Sequence, residues 1–176
     1  MEDLTSVERR ASRIKLLLMD CDGVLTDGRL MLLENGDEQK LFSVRDGQGL
    51  VLLHRAGLRS GVISGRSSSF VERRLRELGI NYSRQGSVDK VKDFRELLAE
   101  ARVEENEVAF VGDDLPDIPL MRRVELAVAV ADAVAETRAA AHYVTQRPGG
   151  NGAVRELVEL ILKAQGRWQE LVESFS

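Results

Sequence analysis

Short unbroken apolar runs alternate along the chain with stretches whose apolar residues recur every three to four positions. Residues 14–19 form the first run, which stops at Asp20. Residues 61–63 stop at Ser64, and 107–111 stop at Gly112-Asp113. Residues 126–130 form a fourth run, and 142–145 a weaker fifth. Runs of this length and composition predict strands buried on both faces of a parallel sheet. The intervening segments carry helical spacing at 48–56, 67–78, 87–101, 116–122, 132–140 and 151–164. Gly57 and Gly79 stand where the first two of these should stop. Strand and helix in alternation predict an α/β fold: a doubly wound, mainly parallel, Rossmann-like sheet in three layers. Residues 29–44 break the rhythm with two β-like stretches around Asn35-Gly36, a strong hairpin signal. A small projecting β-hairpin is expected there, and no other insertion is long enough to form a cap domain. With no repeat, low-complexity tract or linker, residues 1–176 read as one domain, ending in a tail at 165–176.

Composition narrows the function classes. The chain has 176 residues, is 43% hydrophobic and 31% charged, and carries a net charge of −4. That balance suits a globular protein and argues against a nucleic-acid surface. The single cysteine, Cys21, excludes an internal disulfide or a four-cysteine zinc site. No apolar run is long enough to span a bilayer, and the polar residues 1–13 do not form a secretory signal. A cytoplasmic location is expected.

The chemistry gathers at the ends of the apolar runs. Asp20-Cys21-Asp22-Gly23 follows the first, and Gly112-Asp113-Asp114-Leu115-Pro116-Asp117 follows the third. Ligands of open α/β sheets bind beyond the carboxyl ends of strands, so both motifs are well placed. If the two strands are neighbours, their carboxylates crowd together, and crowded carboxylates need a cation. An all-oxygen set suits Mg²⁺. Asp113 is the best ligand of the second motif. Asp114 could bind metal or support the ligands, and Asp117 could order the loop or cap a short helix. Ser64, with Gly65 and Arg66 after it, offers a hydroxyl and backbone N–H groups suited to phosphate oxygens. Lys90, near the start of the next helix, supplies a positive charge.

In this order, Asp20-Cys21-Asp22-Gly23, Ser64, Lys90 and Gly112-Asp113-Asp114 resemble the four motifs of the haloacid dehalogenase-like phosphohydrolases. More narrowly, the chain is similar to the 3-deoxy-D-manno-octulosonate 8-phosphate phosphatases. That likeness rests on Asp22-Gly23-Val24-Leu25-Thr26-Asp27-Gly28, Arg45-Asp46-Gly47, Ser64-Gly65-Arg66, Gln85-Gly86-Ser87-Val88-Asp89-Lys90 and Gly149-Gly150-Asn151-Gly152-Ala153-Val154-Arg155-Glu156. Ser64 stands where the family often has Thr, which keeps the hydroxyl. Cys21 replaces a small aliphatic residue.

The resemblance implies Asp20 as nucleophile, Asp22 as general acid and base, and Ser64 and Lys90 as phosphoryl-binding groups. Mg²⁺ would be held by Asp20, Asp113 and the backbone carbonyl of Asp22. The implied substrate is a sugar-acid phosphate of lipopolysaccharide precursor synthesis, with Gly65, Arg66 and Arg45 as binding residues. The missing cap implies a homotetramer whose hairpins meet and whose subunits close one another's sites. A nine-carbon keto-sugar acid phosphate or another sugar phosphate is an alternative substrate. A phospho-accepting signalling module is an alternative of another class, though its acidic pair and phosphorylated aspartate would come in a different order.

Overall fold

The computed structural model describes residues 4–34 and 38–175. Six parallel strands form one sheet in the order β5-β4-β1-β6-β7-β8. These are β1 (Leu16–Met19), β4 (Arg59–Ser64), β5 (Tyr82–Gln85), β6 (Val108–Gly112), β7 (Leu126–Ala129) and β8 (Tyr143–Val144). Every residue of β1, β6 and β7 is buried, as continuous apolar runs require when helices cover both sheet faces. β1 lies centrally, pairing Leu16 with Arg59 of β4 on one side and Val108 of β6 on the other. That register brings the ends of β1 and β6 side by side, so the two acidic motifs meet.

Helices α2 (Val44–Arg55), α3 (Ser69–Glu77), α4 (Lys90–Ala101), α5 (Ile118–Met121), α6 (Ala135–Ala140) and α7 (Ala153–Ala164) fill the predicted positions. α2 starts four residues before the apolar periodicity suggests. Ser43 caps it by accepting from the Asp46 N–H, and the first turns contain Gly47 and Gly49. Glycine weakens a helix, which hides this start in the sequence. Here it permits close packing: a Cβ on Gly47 would lie 2.6 Å from Arg74 Nη2, and one on Gly49 3.1 Å from Arg155 Cα. Asp46, buried, accepts from the Gly152 and Arg155 N–H groups at 3.0 and 2.7 Å, tying α2 to the start of α7.

Three elements lie outside the sequence expectations. β5 is an edge strand, half-exposed, so it carries no apolar run. α1 (Leu4–Ala11) buries Val7 and Ala11 although its other residues are polar enough to mask a helix. The expected tail contains α8 (Trp168–Glu173), whose Trp168 packs on the core and lies 5.3 Å below the Arg155 guanidinium. Residues 29–44 do form a hairpin: β2 (Met31–Leu32) pairs antiparallel with β3 (Glu38–Gln39), separate from the main sheet. Its Asn35-Gly36 turn falls outside the described residues. Among the described residues there is no cap domain, and no helix is long and apolar enough to cross a membrane.

Candidate active site

β1 delivers Asp20 to the carboxyl edge of the sheet, where the Asp20 N–H donates to the Val111 carbonyl of β6 at 3.0 Å. The chain then turns sharply, with the Cys21 carbonyl accepting from the Leu25 and Thr26 N–H groups at 2.9 and 3.1 Å. Gly23 has φ +88°, and a Cβ there would sit 2.1 Å from Asp113 Oδ2. Only glycine allows the two acidic loops to approach this closely. Residues 149 and 150 back the same turn: the Gly150 N–H donates to the Val24 carbonyl at 2.8 Å, and a Cβ on Gly149 would lie 1.7 Å from the Gly23 carbonyl oxygen.

Lys90, the first residue of α4, donates to Asp20 Oδ1 at 3.0 Å and to Asp117 Oδ1 at 2.8 Å. α4 is held in place by Asp89, which accepts from the Val91 and Lys92 N–H groups. Asp117 is buried, at 1% side-chain exposure, and its Oδ2 accepts from the Asp113 N–H at 3.0 Å. It therefore belongs to the site, orienting Lys90 and the Asp113 backbone together. The signal was its spacing: a 3₁₀ turn at Leu115–Asp117 carries the fourth residue after Asp113 back to the strand end. Asp114 is exposed and caps that turn through the Leu115 N–H at 2.8 Å.

Asp20, Asp113 and Asp117 each offer a carboxylate oxygen within 4.8 Å of the others. Burial and then the Asp117 charge push Asp20 up to about 6, against the pull of Lys90. Burial, Asp117 and Asp20 push Asp113 up to about 7. Burial would pull Lys90 down, but Asp117 and Asp20 outweigh it and raise it. Asp113 Oδ1 is buried without a hydrogen-bond partner. An orphaned carboxylate oxygen among mutually repelling carboxylates fits a hard divalent cation such as Mg²⁺.

Ser64 ends β4, buried, with its Oγ accepting from the Arg66 N–H at 3.3 Å. The Ser87 N–H donates to the Ser64 carbonyl at 3.0 Å, and Ser87 Oγ is buried without a partner. Asp20, Asp22, Ser64, Gly65, Arg66, Ser87, Lys90, Asp113 and Asp117 all line one cleft of about 720 Å³. Asp22 is not one of the carboxylates of this cluster and is paired with Lys40 of the hairpin, a partner that no sequence motif singled out.

Arg45 is not brought to this cleft. As the second residue of α2 it lines a separate cavity of about 540 Å³ with Tyr143, Arg147 and Arg155, because Asp46 anchors the start of α2 to α7. Within one chain Arg45 and Asp20 thus line different cavities. Cys21 is buried, and burial pushes its thiol up to about 12, so it is chemically quiet. His54 bonds Ser60 Oγ at 2.7 Å, and His142 Nδ1 accepts from the Ala127 N–H at 2.9 Å. Both serve the framework.

Residues 83–157 match the family model of the haloacid dehalogenase-like hydrolases. The chain is 45% identical over 161 residues to the 3-deoxy-D-manno-octulosonate 8-phosphate phosphatase of Yersinia pestis, covering 92% of this chain and 86% of that protein. The Moraxella catarrhalis phosphatase of the same name, solved in complex with a magnesium ion, a phosphate ion and a KDO molecule, superposes with a TM-score of 0.96. It is 40% identical and covers 99% of this chain and 100% of that one. The cobalt-bound form of the Haemophilus influenzae phosphatase gives a TM-score of 0.88 at 38% identity, covering 90% and 93% of the two chains.

Proposed function

The chain belongs to the 3-deoxy-D-manno-octulosonate 8-phosphate phosphatases of the haloacid dehalogenase-like hydrolases, and from that premise we propose how its own residues carry out the reaction. It is a Mg²⁺-dependent phosphatase that releases the free sugar acid and inorganic phosphate. The observation that carries the mechanism is Asp20, at the end of the central strand, gripped by Lys90 inside a carboxylate cluster.

Asp20 attacks the phosphorus, forming an acyl phosphate while the bond to the sugar oxygen breaks. Asp22 gives its proton to that departing oxygen. In the second step Asp22 takes a proton from water as the water attacks phosphorus, and the bond to Asp20 breaks. Ser64 Oγ and the backbone at Gly65 hold phosphoryl oxygens, and Lys90 offsets the charge of Asp20 and the phosphate. Asp20, Asp113 and the Asp22 carbonyl would hold the Mg²⁺, with Asp117 beside them. Bound there, the cation would supply positive charge against the phosphate oxygens. Arg66, at the cleft rim, suits a sugar-acid carboxylate.

We further propose a cytoplasmic homotetramer in which neighbouring hairpins close the cleft. Leu30, Met31, Leu32, Leu41 and Val44 are all exposed on or beside the hairpin, a patch that favours burial between subunits. In such an assembly Arg45 could act only across a subunit boundary. The direct test of the chemistry is Asp20→Asn, which should abolish phosphate release from the sugar-acid phosphate while keeping the fold. EDTA should stop the wild type and Mg²⁺ restore it. Wild-type turnover by Asp20→Asn would overturn the covalent route.

A further inference from the structure

The hairpin is mostly open to solvent, with Met31, Leu32 and Leu41 exposed at 56%, 72% and 75%. Lys40 lies among them, yet only 1% of its side chain is exposed. Lysine is almost never buried to this extent unless its ammonium is paired. Its Nζ donates to both carboxylate oxygens of Asp22, at 2.5 and 2.8 Å. Two positions earlier, the spacing that returns an extended chain to the same face, Glu38 pairs with Arg66. The returning limb of the hairpin thus holds both rims of the cleft. Among the described residues, the Asp22 carboxylate has no donor other than Lys40.

Asp22 stands two residues from Asp20, but its carboxylate is not in the cluster of Asp20, Asp113 and Asp117. A carboxylate that lost its sole cationic partner would be drawn to the nearest remaining positive charge. In the loaded enzyme a metal held by Asp20 and Asp113 would be such a charge, beside Lys90. We propose that Lys40 is a positioning residue for Asp22. It holds this carboxylate on the hairpin side, so that Asp22 serves proton transfer and does not become a further metal ligand. The proposal rests on the phosphatase reading for the role of Asp22, while the position of the carboxylate rests on geometry alone.

The test compares wild type with Lys40→Met, which keeps length and removes charge, and with Lys40→Arg, which keeps charge and can fork onto a carboxylate. Two esters are used. A sugar-acid or simple alkyl phosphate needs its leaving oxygen protonated, whereas p-nitrophenyl phosphate does not. Lys40→Met should lower kcat/KM on the alkyl ester about 10- to 100-fold and on the aryl ester at most a few-fold, with Lys40→Arg recovering most of the loss. In an Asp22→Asn background, Lys40→Met should add nothing. Independently of turnover, calorimetric titration with Mg²⁺ should show tighter binding to Lys40→Met than to wild type, and this gain should vanish in the double variant. Equal losses on the two esters, a loss that persists without the Asp22 carboxylate, or unchanged Mg²⁺ affinity would each overturn the proposal. Inactivity of the wild type on every ester would instead sink the phosphatase reading, and the Mg²⁺ titration would still judge Lys40.

Discussion

Replacing Asp117 by Asn tests whether a residue that looked like a loop-former is part of the machinery. The wild-type carboxylate holds Lys90 at 2.8 Å, the Asp113 N–H at 3.0 Å and, at a longer 3.4 Å, the Asp114 N–H. Asn has nearly the same shape, but one oxygen becomes an NH₂ group. That donor must face either the Lys90 ammonium or the backbone donors. A hydrogen bond to a charged group contributes about 1.5–3 kcal/mol, and breaking a buried ion pair costs about 3–5 kcal/mol. Even when protonated, Asp20 still accepts from Lys90 at 3.0 Å, so the hydrogen-bond range applies, about 2 kcal/mol. For a protein of this size that corresponds to a Tm lowered by roughly 4–8 °C. The measurement belongs at pH 5 in metal-free buffer. There Asp20 and Asp113, raised to about 6 and 7, keep their protons, and relief of their repulsion by Asp117 cannot mask the loss. At pH 8 the loss should be smaller. With Mg²⁺, kcat/KM should drop about 10- to 100-fold as Lys90 loses its second tether, about 1.4–2.7 kcal/mol of transition-state stabilisation. Asp114→Asn is the control. Its side chain is exposed and its bond to the Leu115 N–H survives in the amide, so it should stay within about 0.5 kcal/mol of wild type. An Asp117→Asn variant as stable and as active as Asp114→Asn would refute the reasoning.

The raised carboxyls also predict how metal-free stability depends on pH. Asp20 and Asp113 bind protons more tightly when folded than at their ordinary 3.8, so the stability they contribute is fully present below about pH 4 and lost as pH rises through about 6 and 7. Thermal melts from pH 5 to 8 should show Tm falling without metal, and Mg²⁺ should recover more of it at the higher pH; a metal-free Tm that rose across this range would contradict the cluster's electrostatics. Leu30→Asp with Leu32→Asp should dissociate the proposed tetramer in light scattering and lower turnover of the sugar-acid phosphate more than of a small generic ester. A wild type that is monomeric yet fully active on the sugar-acid phosphate would defeat the assembly.

Those parts of the fold that bury a continuous stripe could be read from the residues alone. β1, β6 and β7 are written as apolar runs because both faces are covered, and the acidic residues at their ends followed from the same pattern. β5 escaped because an edge strand needs no such run, and the start of α2 escaped because its glycines answer to Arg74 and Arg155, far away in the chain. In the cleft, Asp20, Ser64, Lys90 and Asp113 came from motif order, and the structure gathers them. The role of Asp117 does not show in its motif, because burial, which separates a working carboxylate from a loop cap, is not a local property. Lys40 carried no signal at all, since only the docking of the hairpin makes it different from any surface lysine. That Arg45 lines another cavity of the chain was hidden for a related reason: its neighbour Asp46 commits the start of α2 to α7, and that bond joins residues more than a hundred positions apart.

The loop that carries the nucleophile is finished by residues from the far end of the chain, and this sets an order of events during synthesis. Asp20 and Asp22 leave the ribosome early, but Gly149 and Gly150, which press against Gly23 and Val24, follow roughly 130 residues later, a delay of about 6–26 s at ordinary translation speeds. Before residues 90–113 follow, the central strand lacks its partner β6, and the aspartates face neither Lys90 nor Asp113. The nascent chain is thus spared the repulsion of crowded carboxylates while it collapses. It also holds a reactive aspartate that cannot yet react, because the residues that arm the first third of the protein all come later in the chain.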